Sequence, residues 1–242
     1  MDAIILAAGQ GIRMGPGFQC PKGFIEVGGN TLIEQSLTIL KYFGINRILI
    51  ITGYQHQFYG QLVSSQNNLD LIFNQEFNHS GSLYSWYLAK NWVKEDFLLL
   101  ESDILYAEEA IPSILGLSKR NAVLVSGFTH SQDEVYVEAR NNNLVRMNKN
   151  KEKLAKITGE FVGISKFSND LFEEITNKFH MKLNQLKLGN YEIEGFDLIA
   201  SIHPIFCLKM PDLRWCEIDT HTQLKNAIEL HPIIRHSSTI FC

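Results

Sequence analysis

Four short, unbroken apolar runs punctuate the first hundred residues: Asp2–Ala7 (DAIILA), Arg47–Thr52 (RILIIT), Leu69–Asn74 (LDLIFN) and Asp96–Glu101 (DFLLLE). Strands half-exposed to water alternate apolar and polar residues. Continuous runs of this length instead mark strands covered on both faces, as in a parallel sheet packed between helices. One helical pattern lies between the first and second runs and another between the third and fourth, and none is expected between the second and third. Thr31-Leu-Ile-Glu34 has the spacing of a capping box, Ile33, Leu37 and Leu40 recur on one helical face, and Gly44 stands where a helix should stop. Ser82 is the expected N-cap of a second helix reaching about Lys94, with Trp86 and Tyr87 expected in the core.

Beyond residue 121 the pattern changes. Ala122–Phe128 and Glu134–Arg140 read as strands, and Asn141-Asn142-Asn143 as a hairpin turn. Thr158–Ser165 is a late strand followed by an amphipathic helix from Asn169. A helical stretch follows the Gly189-Asn190 break up to Ser201, then strands at Ile205–Leu208 and Trp215–Ile218, then a last helix from Thr220 to about Leu230. The fold class expected is α/β: one open, mainly parallel Rossmann-like sheet forming a single domain over residues 1–242, with a small antiparallel subdomain mainly within 129–204. Ligands of such sheets bind beyond the carboxyl ends of the strands.

The segment leaving the first strand is therefore informative. Residues Ala8–Gly23 (AGQGIRMGPGFQCPKG) contain five glycines, Arg13 and Lys22, and no acid. Glycines let backbone N–H groups approach phosphate oxygens, and two cations without competing carboxylates make an anion site. Two known phosphate loops are excluded. The next glycine after Gly9 and Gly11 comes one place late for the dinucleotide fingerprint, and Lys22 is followed by Gly23 rather than by Ser or Thr.

Leu6-Ala7-Ala8-Gly9-Gln10-Gly11-Ile12-Arg13-Met14, with Pro21-Lys22 and the following Thr31-Leu-Ile-Glu34, resembles the signature of nucleotidyltransferases (the GT-A/Rossmann-like superfamily). These enzymes activate sugar phosphates, phosphocholine, methylerythritol phosphate and aminoethylphosphonate. Gly15-Pro16-Gly17 departs from their usual Pro-Leu-Thr run, and Thr31 replaces a proline. The resemblance implies that Leu6, Ala7, Ala8, Gly9 and Gly11 bind nucleotide, that Lys22 stabilises charge at the α-phosphate, and that Arg13 holds departing pyrophosphate. It extends to Asn74-Gln-Glu-Phe-Asn-His-Ser-Gly-Ser-Leu-Tyr-Ser-Trp, which is similar to phosphocholine-type cytidylyltransferases. There Asn74 and the turn Ser80, Gly81 and Ser82 would read the base of an NTP, CTP by that likeness.

Asp103 and Asp219 each stand just past an apolar strand, where two carboxylates can converge on Mg2+, an ion that takes one or two protein carboxylates plus phosphate oxygens. The resemblance assigns them the same metal role. Glu217 alternates with Asp219 and is expected to face the same side. For the acceptor, the segment Tyr191–Asp197 combines aromatics with carboxylates and suits an ammonium, Phe196 and Asp197 being the leading residues and Tyr136 a further one. Lys156 is the cation expected to hold the acceptor's phosphate, although Lys149, Lys151, Lys153 and Lys156 together read as a solvated basic run. The eight histidines show no metal spacing.

The function expected is transfer of a nucleoside monophosphate from CTP to a small phosphorylated or phosphonate acceptor such as phosphocholine or aminoethylphosphonate. The resemblance implies a place in cell-surface polysaccharide or phosphonate biosynthesis. The alternatives are a sugar-1-phosphate nucleotidylyltransferase, a glycosyltransferase for which Glu101-Ser102-Asp103 half-matches the metal motif, and a non-catalytic nucleotide-binding relative. A net charge of −4 leaves no footprint for nucleic acid. No apolar run is long enough to span a bilayer, and no leader is evident. Cys20, Cys207, Cys216 and Cys242 form neither a metal pattern nor a disulfide framework, Cys242 sits in no prenylation motif, and a cytoplasmic setting is expected. A homodimer is compatible with all of this.

Overall fold

The computed structural model describes the chain except residues 16, 65–67, 201, 237, 239, 241 and 242. One residue of the glycine-rich loop, the end of the helical stretch at Ser201 and the position of Cys242 therefore lie outside the described residues. In chain order the elements are β1 (Asp2–Ala7), β2 (Glu26–Val27), β3 (Asn30–Thr31), α1 (Leu32–Tyr42), β4 (Ile48–Thr52), α2 (Gln57–Ser64), β5 (Leu69–Phe73) and α3 (Ser82–Leu88). They continue with β6 (Phe97–Glu101), β7 (Ile104–Tyr106), α4 (Ala110–Leu115), β8 (Ala122–Ser126), β9 (Tyr136–Arg140), β10 (Asn143–Asn148) and β11 (Gly159–Phe167). The last are α5 (Asn169–Met181), α6 (Leu183–Leu186), β12 (Phe206–Met210), β13 (Trp215–Glu217) and α7 (His221–His236).

A single nine-stranded sheet runs in the order β5-β4-β1-β6-β11-β8-β12-β10-β9. Strands β5, β4, β1 and β6 are mutually parallel, which is where the expected parallel sheet lies. β11 then enters antiparallel between β6 and β8 and also pairs with β9, so the sheet as a whole is mixed. All six residues of β1 are buried. Ala3, Ile5 and Ala7 point into one core, with α1, α2, α4 and α7, and Ile4 and Leu6 into the other, with α3 and α5. Covering both faces is what makes the runs apolar throughout.

Local chemistry sets several boundaries. Thr31 caps α1 through the Glu34 N–H, and Glu34 accepts from the Thr31 N–H at 2.9 Å, so the capping box is formed. Asn141 and Asn142 adopt φ of 52° and 59°, the conformation a two-residue hairpin turn requires, and join β9 to β10.

Four expectations need correction. A helix, α2, follows β4; a single residue, Tyr59, is fully buried on it, too sparse a pattern to announce a helix. Ser82 does not cap α3. Gly81 occupies the cap, and the Ser82 hydroxyl accepts instead from the Tyr191 N–H at 2.9 Å. The stretch after Asn190 is a wide helical turn over Tyr191–Gly195 rather than a regular helix. Finally, β13 leaves the main sheet and forms its own antiparallel ladder with β7, pairing Glu217 with Ile104.

Candidate active site

The ladder of β7 with β13 explains why two carboxylates 116 residues apart meet. Its register sets Asp103, just before β7, beside Ile218, whose N–H donates to the Asp103 carbonyl at 2.9 Å. Asp219 follows immediately. Both acids are thus delivered to the carboxyl end of β6, next to the loop that leaves β1.

That loop carries Lys22 at the start of a single helical turn, Lys22–Phe24, behind Pro21. The Lys22 ammonium bridges the two acids, contacting Asp103 and, at 2.5 Å, Asp219. Arg13 pairs with Asp219 and with Asp133, and Lys149 pairs with Asp133 at 2.9 Å. Burial alone would strip the proton from Lys22, but Asp103, Asp219 and Glu217 overcome it and hold its pKa above the ordinary lysine value. Burial likewise opposes charge on Asp219, yet Lys22 and Arg13 keep its carboxyl at about 2.

Around this centre opens a cleft of about 380 Å3. Of the residues expected from the sequence, Leu6, Ala7, Ala8, Gly9, Arg13, Lys22, Asn74, Ser80, Gly81, Ser82 and Asp103 all line it. Asp219 lies behind Lys22 and Arg13, almost wholly buried. Gly11 does not line the cleft; at φ +62° it turns the loop so that Lys22 and Phe18 pack against it. Asn74 is buried and donates to the hydroxyls of Ser80 and Ser85, both at 3.0 Å, while accepting from the Glu76 N–H. It therefore shapes the turn that ends in Ser80–Ser82.

The four residues expected at the acceptor are not brought to the cleft. Phe196 is completely buried among Phe161, Phe167 and Tyr191, a core position. Asp197 faces Arg146 at 3.8 Å. The Tyr136 hydroxyl donates to Glu134, with Lys151 over its ring. Lys156 is exposed away from the cleft. Lys149, just past the end of β10, is the member of the basic run that reaches the site.

Glu101, read from the sequence only as half of a glycosyltransferase metal motif, and Tyr191 and Glu192, which open the expected acceptor segment without being its leading residues, line the cleft with Glu217. A glutamate closing a buried strand was the available signal for Glu101. The Tyr191 hydroxyl donates to Glu101 at 2.7 Å. Burial, then Asp103 and Glu192, push the Glu101 carboxyl up to about 8, and burial with Asp103 and Glu101 raises Glu217 well above the carboxylate range. Space for Glu101 comes from β11, whose ladder with β8 slips between Phe161 and Ser165. Gly163 sits in that slip at φ +82°, and a Cβ there would lie 2.7 Å from a Glu101 oxygen.

Glu101, Asp103 and Glu217 each present an oxygen within 4.8 Å of the others, and Asp133, Glu217 and Asp219 form a second such set. Oxygen donors alone, with Glu101 and Glu217 raised by burial and their acidic neighbours, suit a hard divalent cation such as Mg2+. The expected pair is thus split between two overlapping sets joined by Glu217.

Comparison with known proteins identifies the family. Residues 3–175 match the model of the MobA-like NTP transferase domain. Over 253 aligned residues the chain is 22% identical to the CTP:phosphoglutamine cytidylyltransferase of Campylobacter jejuni, covering 95% of this chain and 100% of that one. It is 35% identical over 107 residues to the choline-phosphate cytidylyltransferase of Streptococcus pneumoniae, 44% of this chain and 46% of the relative, so the match spans about half that protein's length. The inositol-1-phosphate CTP transferase from T. maritima has the same fold, with a TM-score of 0.81 at 18% identity over 98% of this chain and 97% of that one.

Proposed function

Because the chain belongs to the MobA-like NTP transferase family, we propose that it transfers the cytidylyl group of CTP to a small phosphorylated or phosphonate acceptor bearing an amine, with release of pyrophosphate. The observation that carries the reading is the meeting of Lys22, Arg13, Asp103 and Asp219 at the mouth of the loop after β1, in a cleft also lined by the Ser80–Ser82 turn. The relatives named for CTP and for phosphorylated small acceptors supply the substrate class.

In the reaction an acceptor phosphate or phosphonate oxygen attacks the α-phosphorus in line, and the bond to the β-phosphate breaks. The nucleophile is already an anion at neutral pH, so no general base is needed. Catalysis rests on positioning and on charge placed in advance. Lys22 leaves its carboxylates to meet the α-phosphate, Arg13 leaves Asp133 and Asp219 for the departing pyrophosphate, and backbone groups of Ala8 and Gly9 line the path of the triphosphate. Glu101, Asp103, Glu217 and Asp219 are the residues to hold Mg2+, which supplies charge neutralisation at the phosphates when bound. The Ser80–Ser82 turn, braced by Asn74, reads the base. We place the reaction in the cytoplasm and in a phosphonate or polysaccharide route; among the described residues no helix is long and apolar enough to cross a membrane.

The test is pyrophosphate release with each of the four NTPs, crossed with phospho-amines, phosphonates and sugar 1-phosphates. CTP with a phospho-amine should be the productive pair, and turnover only with sugar 1-phosphates would reject the acceptor. Lys22→Ala and Asp103→Ala should each lower turnover by roughly a hundred- to a thousandfold with the fold retained by circular dichroism.

A further inference from the structure

Beside the cleft lies a side cavity of about 40 Å3, lined by six carboxylates, among them Glu134, Glu160 and Glu192, and by one cation, Lys149. Glu101, Lys149, Glu192 and Glu217 line both spaces, so the cavity adjoins the cleft at these four residues. Lys149 is engaged by Asp133. Phe161 and Trp215 supply the apolar wall, and the Trp215 ring is fixed by its N–H, which donates to the Ser126 hydroxyl at 2.8 Å.

One oxygen there has no donor. Glu160 is 1% exposed; Thr129 donates to its Oε2 from both N–H, at 2.9 Å, and hydroxyl, at 2.7 Å, while Oε1 is buried without any partner. A buried carboxylate oxygen left unpaired is costly, and such an exception leaves room for a donor from outside the chain. Asp133 is answered by Arg13 and Lys149, whereas Glu134, Glu160 and Glu192 have no ion-pair partner among the described residues; they ask for a cation, and the empty oxygen asks for an N–H. An ammonium bearing protons offers both, whereas a quaternary ammonium has no hydrogen to donate. Size points the same way. A water-sized group needs roughly 10–15 Å3 measured in this manner, so the cavity takes a protonated nitrogen more readily than a nitrogen carrying three methyl groups.

We propose that this side cavity is the subsite for a protonated N–H-bearing nitrogen of the acceptor, that Glu160 is the residue that reads it, and that the site selects primary over quaternary amines. The proposal rests on the phospho-amine reading above and narrows it. Glu192 and Glu134 complete the negative wall, and Phe161 with Trp215 contribute cation–π attraction.

The experiment measures pyrophosphate release from CTP with phosphoethanolamine and with phosphocholine, which differ only in N-methylation, together with a sugar 1-phosphate as an amine-free control. Phosphoethanolamine should exceed phosphocholine in kcat/KM by roughly 10- to 100-fold, the scale of a lost hydrogen bond to a charged group. Glu160→Gln should abolish most of that preference by raising the KM for phosphoethanolamine, with the KM for CTP unchanged. CTP binding by calorimetry checks that the variant is folded; should it not be, Glu134→Gln gives the same readout at a half-buried wall position. Equal or better turnover of phosphocholine, or an unchanged preference in a folded Glu160→Gln protein, overturns the subsite alone. Turnover confined to the sugar phosphate overturns the phospho-amine reading and the subsite with it.

Discussion

Lys22 is subject to two opposing forces, since burial disfavours its charge and two carboxylates demand it. The carboxylates win, and the ammonium is held above the ordinary lysine pKa. A contrasting case lies at the surface. Asp96 accepts a two-pronged hydrogen bond from Arg120 at 2.8 and 2.6 Å, and Arg120 also reaches Asp170 at 2.9 Å. Those bonds hold the Asp96 carboxyl below its ordinary 3.8. Its folded pKa is depressed, so the stability it contributes is present above 3.8 and is lost as pH falls through the folded value. Arg120→Ala should therefore lower Tm at pH 7 by more than it does at pH 2.5, and parallel melting curves at both pH values will show whether the gap closes. At this scale the sequence was legible where a residue's role depends on near neighbours. Lys22, Arg13 and Asp103 stand in local patterns, a glycine-rich loop and a strand end. Lys149, Glu160 and Glu192 stand in no such pattern; Glu192 comes to the cleft through the packing of the Tyr191–Gly195 turn on α3, where the Tyr191 N–H bonds Ser82 and its hydroxyl bonds Glu101.

Among the elements, the turn before α3 is bound to a distant segment as well as to its own helix. The Gly81 N–H donates to the Lys187 carbonyl at 2.8 Å and the Leu83 N–H to the Gly189 carbonyl at 3.1 Å. A Cβ on residue 81 would sit 2.1 Å from the Gly189 oxygen and 2.6 Å from that of Leu188, both backbone atoms that cannot rotate aside. Gly81→Ala should part the turn from residues 187–189, reduce CTP affinity by at least about tenfold, the equivalent of one or two lost hydrogen bonds, and lower Tm. Calorimetric titration with CTP decides it, and unchanged affinity would remove the turn from the nucleotide site. The longer elements could be read in advance because each declares itself locally: β1 by its apolar run, α1 by its capping box, the β9–β10 hairpin by its asparagines. Trp215–Ile218 was legible as a strand, but its three-residue partner β7 carries no period of its own, so the ladder that unites Asp103 with Asp219 was beyond sequence patterns.

For the molecule as a whole, β11 is the decisive strand. It is buried along all nine residues and pairs with β6, β8 and β9, which fastens the parallel half of the sheet to the antiparallel half. Neither half keeps its edge satisfied without it. Differential scanning calorimetry should accordingly show one unfolding transition, and two resolved transitions would mean that the halves are independent. Binding of CTP with Mg2+ should raise that transition, since a ligand held by the folded chain alone stabilises it in proportion to RT ln(1 + [L]/Kd); Lys22→Ala should remove most of the rise. Within the same strand, Gly163 gives the cleft no atom, yet it fixes where a charge can reside. A methyl group at that position would evict the carboxylate of Glu101 from the hollow it fills and break its tie to Tyr191. A side chain at 163 is consequently open only to a chain whose residue 101 has withdrawn, and the left-handed backbone there strains it even then.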